Sequence, residues 1–206
     1  MSLYGWLKHA RTTASSGSPA SARRVRGGVV EQLTPGSHSF STDAELVDIL
    51  HGAQDDPAFR QINPNGKIPA LTDEIAGGQR VTVFESAAIL QYLGRKTGLL
   101  YPADEAGRAQ VDSWLFWQMA GLGPSSGNVN WFVRAATKPG RDAAETGLAI
   151  FRFRRETGRL FDVLEEALQG RGYLCDDYSI ADMAIYPWAE IHELLTQDIA
   201  QFPHVA

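Results

Sequence analysis

Two short stretches hold residues whose types and spacing suit the binding of a small peptide. The first is Ile68 and Pro69, inside "INPNGKIPALTD" at 62–73. A proline at a strand entry takes the cis form at a cost of only about 0.5–1 kcal/mol. A cis bond here would turn the Ile68 N–H and C=O out of the ladder, where an extended peptide can pair with them as an added strand. A trans proline that only blocks edge pairing accounts for the stretch equally well. The second is Glu85 and Ser86, where the β-branched run "RVTVFE" at 80–85 meets the helical pattern "SAAILQYLGRKTG" at 86–98. A serine hydroxyl, first-turn N–H groups and the positive end of the helix dipole make a carboxylate site. The Glu85 carboxylate beside it suits an ammonium. Taken alone, a serine before a helix is more simply an N-cap. Taken together, a strand-edge site followed by an amino-acid-head site suits a small peptide bound along the strand, and glutathione is the cytosolic candidate.

The elements that must position these residues are readable in outline. "ELVDIL" at 45–50 is a strand candidate, and "DDPAFRQI" at 55–62 gives one or two helical turns with Pro57 near N1. "KIPALTD" at 67–73 is a strand, Gly77 and Gly78 make a turn, and 80–85 is a second strand. The helix at 86–98 buries Ile89, Leu90 and Leu93, carries Arg95 and Lys96 in its last turn and stops at Gly98. Beyond "YPADE" strands vanish. A helix is expected from 104 to about 121, then a loop through Gly121, Gly123, Pro124 and Gly127. A long helix covers 142–170, with Ile150, Phe153, Leu160, Leu164 and Leu168 spaced by threes and fours. Ser179 caps another helix, with Asp182 closing the capping box at N3. Trp114, Phe116, Trp117, Trp131 and Phe132 suit an apolar pocket but are more simply core.

Composition narrows the function further. With 206 residues, 44% apolar and 21% charged, the chain reads as an ordinary soluble globular protein. A net charge of −5 argues against a nucleic-acid or anionic-membrane partner, and no run approaches the roughly 18 apolar residues of a membrane span. Cys175 is the only cysteine, so no intrachain disulfide can form, and no HExxH, CxxC or clustered histidines suggest a metal. A reducing, cytoplasmic setting is expected. Residues 1–30 differ: they hold arginines and five serines but no Asp or Glu, which fits a mitochondrial transit segment or, more simply, an unstructured leader.

"INPNGKIPAL", "VFESAAILQYLGRKTGLLYP", "WLFWQMAGLGP" and "YSIADMAIYPW" resemble the glutathione transferases, in particular the nu-class and yeast nitrogen-regulator-like branch of disulfide-bond oxidoreductases. The resemblance covers roughly residues 45–205. It implies an α/β thioredoxin-like domain over 1–100, atypical across 1–44, and an all-α helical-bundle domain over 104–206. It implies that Ile68 binds the cysteinyl backbone of glutathione before a cis Pro69, and that Glu85 and Ser86 hold the γ-glutamyl head. Lys67 matches a basic position that reaches a carboxylate, and Arg152 an arginine facing the glutathione cleft, although a solvated Arg152 beside Arg154 and Arg155 reads nearly as well. Asp182 would be a structural cap rather than a catalytic acid. A homodimer and a small thiol or electrophile as second substrate are also implied.

The resemblance breaks down before residue 45. The branch activates the glutathione thiol with a "TPNG"-like turn leading into a helix. Here "LTPGSHSFSTDAELVDI" at 33–49 keeps Thr34, Pro35 and Gly36 without the asparagine. Residues 37–44 are too few for a helix spanning a strand, which needs about 12. Thr34 is the candidate for the thiol contact and Tyr4 the second, with "MSLYGW" a substitute first strand. Two functions follow: a glutathione-dependent transferase or disulfide oxidoreductase, or a catalytically impaired relative serving as a binding or regulatory module.

Overall fold

The computed structural model describes residues 24–25, 44–140 and 142–206. They divide into two compact units between Thr97 and Gly98. Thr34, Tyr4, "MSLYGW" and all of the expected unstructured leader at 1–30 but Arg24 and Val25 lie outside the described residues, as does the expected crossover at 37–44 up to Ala44. Arg24 and Val25 are not unstructured but form a strand.

In the first unit, β1 (Arg24–Val25) pairs antiparallel with β2 (Ala44–Glu45). The strand expected over 45–50 ends at Glu45, because Asp48 folds the chain back. Its carboxylate accepts from the Leu50 N–H at 3.1 Å and contacts the His51 ring at 2.7 Å, and its carbonyl accepts from the N–H groups of His51 and Ala53. A 3-10 turn at Ala53–Asp55 leads into α1 (Pro57–Ile62). Asp56 caps that helix by accepting from the Ala58 N–H at 2.8 Å, and Pro57 takes its first position, where the missing N–H costs nothing. β3 (Ala70–Glu74) and β4 (Arg80–Phe84) form an antiparallel hairpin around Gly77 and Gly78. Its register pairs Ala70 with Phe84 and Glu74 with Arg80. One residue after β4, α2 (Ser86–Thr97) begins, with Arg95 and Lys96 in its last turn facing the negative end of the dipole.

The second unit is helical: α3 (Glu105–Trp117), α4 (Gly123–Ala136), α5 (Ala143–Ala167) and α6 (Ile180–Glu190). The expected loop at 121–127 is instead continuous helix. A single π-turn, Gln118–Leu122, joins α3 directly to α4, and Pro124 falls in the first turn of α4. The glycines there serve close packing rather than a break: a β-carbon on Gly123 would sit 2.9 Å from Gln118 Nε2 and 3.6 Å from the Trp188 ring. Tertiary contact thus overrides weak helix propensity. Leu122, Leu160, Phe161, Leu164, Leu174, Ile185, Leu195 and Phe202 make the buried core, with Trp114, Trp117 and Trp188 packed against it. Of the other aromatics, Phe116 and Trp131 are exposed and do not join that core.

The α6 cap bears on stability most directly. Asp182 accepts from the Ser179 N–H and hydroxyl, both at 2.9 Å, and from the Leu174 N–H at 3.0 Å. Ser179 and Leu174 are buried, so each donor left without a partner costs about 1–3 kcal/mol. Both carboxylate oxygens are engaged, which makes Asp182 a structural cap. Asp182→Ala should destabilise the protein by roughly 2–4 kcal/mol in urea unfolding followed by tryptophan fluorescence. A variant as stable as the wild type would contradict this assignment.

Candidate functional site

The β3–β4 register builds the site. The Ala70–Phe84 pair ends the ladder, so the Ile68–Pro69 step directly before β3 and the Glu85–Ser86 step directly after β4 emerge at the same end of the hairpin. Lys67, Ile68, Pro69, Glu85 and Ser86 are thereby brought around one depression of about 120 Å³, with Asn63 and Asn65 completing its wall. The Ile68–Pro69 bond is cis. Ile68 is half exposed, and neither its N–H nor its C=O pairs with the backbone of another described residue. Lys67, Glu85 and Ser86 are exposed as well. A strand-like edge with a cation on one side and an anion on the other is available to a ligand.

Glu85 sits with φ at +72°, in the left-handed region that a β-carbon makes costly by about 1–2 kcal/mol. Its carbonyl accepts from the Ile89 N–H at 3.0 Å, closing the first turn of α2, so the first-turn N–H groups and the positive dipole end lie at Glu85 and Ser86. Strain of this kind persists where the surroundings hold it, and ligand clamps are a common location. The helix itself is pinned to the sheet by Asp73 of β3, which accepts from the Tyr92 hydroxyl at 2.6 Å and pairs with the Lys96 ammonium. The Lys96 contact and then the Tyr92 bond hold the Asp73 carboxyl below its usual range, and Asp73 in turn raises the Tyr92 hydroxyl.

The remaining sequence candidates fall elsewhere. Arg152 lies in the helical unit, exposed on α5. Arg159 first, and Arg152 more distantly, hold Glu156 below the usual carboxylate range. Thr34 is outside the described residues. Asn63 and Asn65 were legible only as turn formers, since nothing in the sequence shows that Asn63 is buried.

A larger cleft, about 520 Å³, lies in the helical unit between the start of α3 and the loop before α6. It is lined by Asp104, Asp176 and Asp177 with no lysine or arginine, so size favours it but charge excludes an anionic ligand. Cys175 lines the same cleft, is 9% exposed, and is pushed up in pKa by burial and by Asp182. It makes a poor nucleophile. Among the described residues, no cluster of His, Cys, Asp or Glu could hold a metal.

Two outcomes follow. Glu85→Gly should raise stability by about 1 kcal/mol in denaturant melts, since the strained backbone suits glycine; unchanged or lower stability would remove strain from the account. The folded pKa of Asp73 lies below the ordinary 3.8, so its stabilisation is complete above that value and is lost as pH falls through the folded pKa. Wild type should therefore lose stability more steeply than Asp73→Asn between about pH 5 and pH 2. Parallel pH profiles for the two proteins would contradict the clamp.

Comparison with known proteins supplies the family. The glutathione S-transferase N-terminal domain model matches residues 41–96, and the C-terminal domain model matches residues 149–206. The chain is 40% identical over 184 residues to the disulfide-bond oxidoreductase YfcG of Escherichia coli, covering 84% of this chain and 83% of that protein. It is 37% identical over 182 residues to YghU of the same organism, covering 88% of this chain and 60% of YghU. Among solved structures, a glutathione transferase from Burkholderia graminis with two glutathione molecules bound per subunit superposes with a TM-score of 0.68 at 39% identity, over 77% of this chain and 68% of that one. Ure2p in complex with glutathione gives 0.65 at 31% identity, over 77% and 72%. The hairpin and helix of the first unit and the helical second unit are the corresponding parts of a thioredoxin-like domain and its all-α partner. This chain belongs to the glutathione S-transferase family.

Proposed function

We propose that the protein is a glutathione-dependent transferase or disulfide-bond oxidoreductase that holds the tripeptide in the depression between Ile68 and Ser86. The observation that carries this reading is the convergence of Lys67, Ile68, Pro69, Glu85 and Ser86 on one edge. Glutathione supplies, as co-substrate, the thiol that attacks a disulfide sulfur or an electrophile. The chain's single thiol is buried and raised in pKa, which supports an external one.

The residues divide the ligand by charge. Ile68 offers its backbone N–H and C=O to the middle residue as a neighbouring strand would. The hydroxyl of Ser86 and the first turn of α2 suit the α-carboxylate of the γ-glutamyl head, and Glu85 suits its ammonium. Lys67, which lines the depression, is proposed to meet the second carboxylate. Lowering the thiol pKa calls for a further hydrogen-bond donor, for which Thr34 is the candidate; Arg152 is proposed as a further glutathione-binding residue on the family resemblance alone. Family membership also supports a two-fold homodimer; the proposed setting is the cytoplasm, with the mitochondrion as the alternative that the acid-free residues 1–30 raise.

Ser86→Ala should weaken glutathione binding by roughly 10–100-fold in calorimetric titration, the worth of a hydrogen bond to a charged group. Equal affinity in the two proteins would reject the site. Turnover of the mixed disulfide between glutathione and 2-mercaptoethanol, releasing the small thiol and glutathione disulfide, would place the chain among the oxidoreductases. Cooperatively folded protein that binds glutathione without turnover of disulfides or electrophiles would make it a binding module instead.

A further inference from the structure

Asn63 is 1% exposed, yet it forms part of the wall of the depression. Its side chain and its backbone C=O are engaged within the same loop, and its backbone N–H with the end of α1. Its side-chain Nδ2 donates to the Lys67 carbonyl at 2.6 Å, and its Oδ1 accepts from the Asn65 N–H at 2.9 Å. Its backbone N–H donates to the Phe59 carbonyl and its C=O accepts from the Gly66 N–H, both at 2.9 Å. One buried side chain therefore ties the end of α1 to the first residue of the binding edge.

The bond to Lys67 matters for direction. The Lys67 C=O and the Ile68 N–H belong to one peptide plane, and in a trans peptide they point opposite ways. Drawing the Lys67 carbonyl inward onto Asn63 therefore aims the Ile68 N–H outward, toward any ligand on the edge. Arg60 braces the same loop from outside. It donates to the Pro64 carbonyl at 2.9 Å while paired with Asp55 at 2.6 Å. Gly66, at φ +62°, lets the guanidinium lie against the backbone, since a β-carbon there would come within 2.8 Å of Arg60 Cζ.

We propose that Asn63 is a positioning residue that aims the Ile68 N–H at the ligand backbone, with Arg60 as its outer brace. Neither residue needs to touch the ligand. The proposal rests on the glutathione reading of the site and adds the residues that set its geometry.

The test is calorimetric titration with glutathione of wild type, Asn63→Asp and Arg60→Gln. Asn63→Asp keeps the acceptor for Asn65 but loses the donor and sets a carboxylate against the Lys67 carbonyl, which turns the peptide plane. Its Kd should rise about tenfold with the binding stoichiometry unchanged. Arg60→Gln acts one step further out, and its Kd should rise about threefold. A purely structural role would raise the apparent Kd only by the reciprocal of the folded fraction, which urea unfolding of each variant measures, or would lower the stoichiometry where unfolded protein is lost irreversibly. Wild-type Kd in both variants after division by that reciprocal, or a fall in stoichiometry only, would overturn the proposal while leaving the glutathione site standing. A wild type that gives no heat of binding would overturn the glutathione reading and this one with it. Should Asn63→Asp not fold cooperatively, Arg60→Gln decides the matter on the same criteria.

Discussion

The pairing of Ala70 with Phe84 is the constraint on which the site depends. Side chains alternate faces along a strand, so slipping this hairpin by one residue would turn every side chain of β3 or β4 to the opposite face and shift the Ile68–Pro69 step relative to the start of α2. The tight turn at Gly77 and Gly78 limits such slippage by fixing the loop length. With the register held, the binding edge and the start of α2 meet without any contribution from distant parts of the chain. Everything proposed for the tripeptide, from the backbone pairing at Ile68 to the charged grip on its head, inherits its geometry from five residue pairs.

Two supports keep that geometry from relaxing. Asp73, with Tyr92 and Lys96, fastens α2 to the strand, so the helix start cannot drift from the edge it faces. Asn63 and Arg60 fasten the loop at 63–67 from the other side. Between them sits Glu85, whose backbone is held in an unfavourable conformation that the neighbouring strand and helix impose. The helical unit reaches its stability by a separate route, a buried apolar core and a capping box at α6.

Much of this was legible in the sequence where local chemistry decides. Pro57 after Asp56, the Gly77 and Gly78 turn, Ser179 with Asp182 and the apolar spacing of α5 each follow from short-range rules, and the structure carries them all. The glycines and proline at 121–127 misled because their reason is packing against Gln118 and Trp188, which no local pattern displays. "ELVDIL" misled in the opposite sense: its apolar residues suit a strand, but the Asp48 side chain competes successfully for the backbone. Ile68, Pro69, Glu85 and Ser86 were nominated because a strand-to-helix junction and an Ile-Pro step are visible in one dimension, and Lys67 from the family resemblance; folding sets all five around one depression. Asn63 was not nominated, because burial and a hydrogen bond to the Lys67 carbonyl appear only after folding.

The most direct test of the central claim is an amide chemical-shift titration of isotopically labelled protein with glutathione. The account predicts that the backbone N–H signals of Ile68, Ser86 and Ala87 move together and saturate at one common affinity. Signals at these residues that stay fixed, while amides around the acidic cleft at Gln110 and Asp177 move or none moves at all, would contradict it.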